Sequence, residues 1–81
     1  MPNKLRVLSG DDIIFIFHRF GFNTGYSKGS HFKLTRVTDG EKQVIVIPRH
    51  NPIAKGTLKS IYRKALEYIS EEELRSYFYT D

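Results

Sequence analysis

Between Ser9 and Gly21 the apolar positions recur on a helical period. Ile13, Ile16, Phe17 and Phe20 follow the i, i+3, i+4, i+7 rule and make one apolar face. Ser9 can cap such a helix, and Asp11 and Asp12 set negative charge on the positive end of its dipole. Gly21 suits the first residue past the helix end. Ile14 and Phe15 fall off the apolar face, beside His18 and Arg19, as scattered surface hydrophobics or as a partner surface. Residues 22–48 read as a three-stranded antiparallel meander. Its first strand, near Asn23–Lys28, is interrupted by Gly25, and its second, Ser30–Arg36, alternates polar and apolar with period two. Thr38-Asp39-Gly40 is a turn, because Asp-Gly readily takes the positive backbone angles of a tight hairpin. The third strand, Gln43–Pro48, is apolar on both faces and ends at its proline.

A helical period returns after Asn51-Pro52-Ile53-Ala54-Lys55-Gly56, with Thr57 as the expected cap. Leu58, Ile61, Tyr62, Ala65 and Ile69 share a face, and Lys59 and Arg63 sit four apart on its flank. Ser70-Glu71-Glu72-Glu73 is a capping box that opens a short last helix, with Leu74, Tyr77 and Phe78 available to dock it. The expected fold is therefore α+β: a three-stranded antiparallel sheet covered on one face by helices, plus a short C-terminal helix. The other face of the sheet is left to water or to a partner.

Length and composition narrow the setting. A chain of 81 residues reads as one domain over 1–81 with a thin core. The absence of cysteine excludes a disulfide scaffold and thiolate metal sites. The N-terminus has no apolar signal region, and no apolar run is long enough to span a membrane, so a soluble cytoplasmic protein is expected. The net charge of +4 is unevenly spread. Residues 26–64 hold nine basic side chains and only Asp39 and Glu41 as acids, a balance of +7. The remaining positions carry a balance of −3. A concentrated positive segment between acidic ends is what a polyanion-binding surface needs.

The alternation of the second strand orients the chemistry. If Phe32 and Leu34 face the helices, His31, Lys33 and Thr35 project from the open face. His31 follows Lys28-Gly29-Ser30, where the glycine lets backbone approach a ligand. An imidazole flanked by ammonium groups on an open surface suits acid–base work on a phosphodiester. Arg36 shares the parity of Phe32, which points it away from that face. Lys55-Gly56-Thr57-Leu58-Lys59 forms a second candidate, a helix start whose backbone N–H groups and lysines can receive a phosphate. His18, His31 and His50 fall on different elements, and no pairing matches a zinc or magnesium ligand motif, so no metal or other cofactor is expected. Helix, three strands and helix with a basic second-helix start is also the layout of double-stranded-RNA-binding domains.

Several short motifs, taken in order, carry a resemblance. They are Leu8-Ser9-Gly10, Phe20-Gly21-Phe22, Lys28-Gly29-Ser30-His31-Phe32, Val44-Ile45-Val46-Ile47-Pro48 with His50, Lys55-Gly56-Thr57-Leu58-Lys59-Ser60-Ile61, and Ile69-Ser70-Glu71-Glu72-Glu73-Leu74. Over roughly residues 5–78 the chain resembles the HicA (YcfA-like) mRNA interferase toxins of bacterial and archaeal toxin–antitoxin systems. It departs from them at Tyr68, where the family often has glycine, and in a first helix rich in Phe. The resemblance implies a double-stranded-RNA-binding-like α-β-β-β-α fold, ribonuclease activity with its catalytic histidine at His31, and a HicB antitoxin that masks this region.

On that reading His31 serves as general base or general acid in cleaving mRNA or other single-stranded RNA, without a metal. Lys28, Ser30 and Lys33 hold the phosphate, Lys55 and Lys59 add backbone contacts, and Arg36 and Arg63 are weaker candidates. The second proton-transfer group is left open among His50, Tyr26 and a lysine. Two other classes share the same pattern. One is a non-catalytic RNA-binding module on the same basic face. The other is a protein–protein module built on the apolar third strand with Ile14 and Phe15.

Overall fold

The helical period beginning at Ser9 becomes α1, Gly10–Arg19, in a computed structural model that describes residues 3–81 and, at 26 and 27, the backbone alone. The Ser9 side chain accepts from the Asp12 N–H while the Asp12 carboxylate accepts from the Ser9 N–H, so both ends of the capping box are closed. At the other end Gly21, with φ 89°, allows a full Schellman closure. Its N–H donates to His18 O at 3.1 Å, and the Phe22 N–H donates to Phe17 O at 3.0 Å. The accompanying apolar contact is the edge-on pair of Phe17 and Phe22 rings, 5.7 Å apart.

Residues 22–48 form the expected meander, and a short strand precedes α1. In chain order the strands are β1 (Lys4–Leu5), β2 (Asn23–Lys28), β3 (His31–Thr38) and β4 (Glu41–Pro48). The main sheet is antiparallel in the order β2-β3-β4, with Phe32 opposite Ile47 and Leu34 opposite Ile45. Asp39 and Gly40, at φ 54° and 76°, make the β3–β4 turn. The β2–β3 register shifts between Thr24 and Ser27, around Gly25.

The second helix, α2, runs over Lys55–Ala65 and begins earlier than expected. Thr57 is not its cap. The N-cap is Ala54, which offers no side-chain acceptor, and the ladder opens with Leu58 N–H donating to Ala54 O at 2.8 Å. The start is set from outside the helix: the Ile53 N–H donates to Leu8 O at 2.9 Å, and Ile53 is buried. The last helix, α3 (Glu71–Phe78), is capped by Ser70, which accepts from the Glu73 N–H, and three glutamates fill its first turn. A second ladder was not legible in the sequence. β5 (Tyr79–Thr80) pairs antiparallel with β1, and two residues are too few to show a period.

All three helices contribute to one core. Ile13 and Phe17 of α1, Leu34, Ile45 and Ile47 of the sheet, Leu58 and Ala65 of α2, and Leu74 and Phe78 of α3 are buried. Ile14 is half-buried, and Phe15 is 55% exposed. Tyr62 donates its hydroxyl to Glu71 at 2.9 Å and ties α2 to α3. Burial raises the pKa of this phenol above its ordinary value, and the bond to Glu71 pushes the same way.

Two contacts hold the layers in place. Gly10 packs so closely on the end of β4 that a Cβ there would overlap the Pro48 carbonyl oxygen and stand 3.0 Å from Arg49 Cα. Its N–H donates to His50 O at 2.8 Å. At the opposite end of the sheet, half-buried Arg36 uses the fork of its guanidinium. It donates to Gln43 Oε1 at 2.7 Å, Phe20 O at 2.8 Å and Tyr68 O at 3.0 Å, with Cζ 4.7 Å above the Phe22 ring. Arg36 is thus a structural hub joining the end of α1, the turn after α2 and β4.

Gly10→Ala is expected to lower folding stability by about 1–3 kcal/mol, as overpacking does, read as a fall in Tm. Arg36→Ala is expected to cost roughly 2–4 kcal/mol by leaving two carbonyls with one partner fewer. Arg36→Lys should recover only part of that loss in the same melting assay, because an ammonium cannot reproduce the fork.

Candidate functional site

The sheet face away from the helices is built by the odd residues of β3. Leu34 is fully buried, while His31 and Lys33 are exposed and Thr35 is half-buried. β3 is the central strand, so its backbone is held from both sides. Opposite His31 stand Lys28 on β2 and Pro48 on β4, and opposite Lys33 stands Val46. Lys28 and His31 close the two-residue turn Gly29-Ser30, in which Gly29 has φ 61°. The structure therefore brings Lys28, Ser30, His31 and Lys33 to one end of one open face.

Their charge is not neutralised within the chain. Among the described residues neither Lys28 nor Lys33 lies within 4.0 Å of a carboxylate. Arg49, by contrast, belongs to the helix side: its guanidinium lies 5.2 Å over the Phe32 ring and 3.8 Å from Asp11. His18 is also occupied, with Nε2 2.7 Å from Thr24 Oγ1, tying α1 to β2. No cluster of three His, Asp or Glu side chains suited to a metal occurs among the described residues.

The same face carries apolar side chains. Val37 is 70% exposed and Val46 53%, while Val44 is half-buried opposite Thr35. Lys33 and Lys42, the latter opposite Val37, lie among them. Strand parity had put His31, Lys33 and Thr35 on this face, and the valines complete it.

Lys55 and Lys59 lie elsewhere. They line a shallow groove with Lys4, Val7, Tyr79 and Asp81, and none of the residues around His31 contributes to it. The groove opens beside the uncapped start of α2, where Gly56 has open space around its Cα. Lys4 was missed by the sequence reading because the β1–β5 ladder, not any local pattern, carries it there. Arg63 lines another hollow with Glu71 and Arg75. The Tyr26 side chain lies outside the described residues. His50 is exposed just past β4.

Among known proteins, a family model described as HicA toxin of bacterial toxin-antitoxin matches residues 10–66, which is more than half of the chain. Searches of curated proteins and of solved structures give no match. The matched span runs from the start of α1 to just past α2 and includes the whole β2-β3-β4 sheet with His31. No helix among the described residues is long and apolar enough to cross a membrane.

Proposed function

The chain belongs to the HicA toxin family of toxin–antitoxin systems, and from that premise we propose that it is an endoribonuclease that cuts mRNA with His31. The observation that carries this reading is the exposed imidazole on the central strand, on an uncovered sheet face between Lys28 and Lys33. In this reading residues 1–81 work as one HicA-like domain in the cytoplasm.

The chemistry follows from the side chains. His31 takes the proton of the 2′-hydroxyl or protonates the leaving 5′-oxygen. Attack by the 2′-oxygen leaves a 2′,3′-cyclic phosphate and a 5′-hydroxyl end. Lys28 and Lys33 hold the scissile phosphate and stabilise the charge that develops on it. Ser30, in the turn beside them, offers a hydroxyl to the same phosphate. Lys55 and Lys59, with Lys4, receive a more distant part of the strand. No step requires a metal. An open site suits a polymer substrate, which reaches the histidine from solvent without a deep pocket.

A HicB-type antitoxin is the proposed partner. Val37, Val44 and Val46 form an apolar stripe beside Lys33 and Lys42, and acidic and apolar groups of an antitoxin match it in both respects. Bound there, the antitoxin would cover the approach to His31. A non-catalytic RNA-binding module would use the same cationic face, but it has no need of an imidazole there.

His31→Ala is expected to leave the melting temperature unchanged, since the side chain is exposed, and to slow RNA cleavage by about 10²–10⁴-fold. Cleavage at the wild-type rate would overturn the mechanism. Wild-type activity should persist in excess chelator. Changing Lys28 and Lys33 to Gln should weaken RNA binding and reduce the slope of log K against log salt by about 1.4, as two lost phosphate contacts on a single strand would.

A further inference from the structure

A single imidazole fills only one of the two proton-transfer roles, and the fold supplies a second. We propose that His50 is the partner of His31, one acting as general base and the other as general acid; this rests on the ribonuclease reading above.

Three observations converge on it. First, the β3–β4 ladder continues beyond the last residue of β4: the Arg49 N–H donates to Ser30 O at 2.6 Å. Side chains therefore keep alternating through this segment. Ile45 and Ile47 are buried, and Arg49 follows them to the helix side, over Phe32 and beside Asp11. Val44 and Val46 take the open face, Pro48 of the same parity is buried opposite His31, and His50 is the next residue of that parity and is exposed. Second, His31 stands directly opposite Pro48, so a strand continued by two residues past Pro48 sets His50 on the diagonal from His31. Diagonal neighbours on one face of an antiparallel pair are about 7–8 Å apart at Cα. That separation admits one phosphate between two imidazoles.

Third, the position is held while the ring is free. The His50 carbonyl accepts from the Gly10 N–H at 2.8 Å, and the chain is anchored again where the Ile53 N–H meets Leu8 O at 2.9 Å. The His50 side chain is exposed and has no hydrogen bond to a described residue, unlike His18. Lys28 and Lys33 share the face, but an ammonium carries three donors and no acceptor, which suits it to hold the phosphate.

The step balances with two histidines. The neutral imidazole takes the 2′-hydroxyl proton as the 2′-oxygen bonds to phosphorus. The P–O5′ bond breaks, and the imidazolium gives its proton to the departing 5′-oxygen. Solvent then returns each ring to its starting state.

The test uses two RNA substrates, one ordinary and one with a sulfur in place of the bridging 5′-oxygen at the cleaved bond. A thiolate leaves without a proton, so this substrate needs no general acid. His50→Gln is expected to retain the wild-type Tm and RNA affinity and to lose about 10²–10⁴-fold in cleavage of ordinary RNA. The sulfur substrate should restore cleavage in one of the two variants, His31→Ala or His50→Gln, and not in the other. Wild-type cleavage of ordinary RNA by His50→Gln, or rescue of neither variant, would overturn the pairing. Wild-type cleavage by His31→Ala would instead overturn the ribonuclease assignment itself.

Discussion

The close approach of Gly10 to the end of β4 is the contact on which the rest of the molecule depends. At this position a side chain and the Pro48 carbonyl cannot both be present, and the Gly10 N–H holds the His50 carbonyl at the same point. This one junction places the start of α1 against the sheet, buries Ile13 and Phe17 over Leu34, Ile45 and Ile47, and leads the chain out of β4 toward α2. It lies at the end of the sheet where His31 faces Pro48. Packing and the candidate chemistry therefore share one anchor, although they use opposite faces of the strands.

That division of faces follows from the pleat. Along β3 the even residues are spent on the fold: Phe32 lies under Arg49, Leu34 is in the core, and Arg36 bonds three partners above Phe22. The odd residues His31, Lys33, Thr35 and Val37 are left for solvent, substrate or partner. A slip of one residue in register would exchange the two sets. The small chain thus keeps a cationic, histidine-bearing surface without burying a charge that lacks partners, because half-buried Arg36 has Gln43, Phe20 and Tyr68 within hydrogen-bond reach.

Much of this was legible before folding was considered. The apolar faces of α1 and α2, the Asp-Gly turn, the break at Gly25 and the stop at Gly21 all rest on spacings within a few residues, and the structure has each of them. The orientation of His31 followed from strand alternation in the same way. One reading failed, and one residue has partners the sequence did not show, for a common reason. Thr57 looks like a cap in its local context, but the entry to α2 is set by Ile53 pairing with Leu8, forty-odd positions away. Arg36 counts as a free cation by composition, yet its three acceptors come from α1, β4 and the turn after α2.

By itself, then, the sequence determined what is periodic: where the longer helices and the three-stranded sheet lie, which face of each is apolar, and that His31 stands on the face of its strand opposite Phe32 and Leu34. Hydrophobic period and turn chemistry act over a few residues, so they can be read along the chain. Tertiary structure decided what is adjacent. It set Lys4 beside Lys55 and Lys59 through the β1–β5 ladder, tied Arg36 to Gln43, Phe20 and Tyr68, and stood Pro48 opposite His31. Those neighbours are set by strand register and by the clearance at Gly10, and both depend on residues that meet only when the chain has closed.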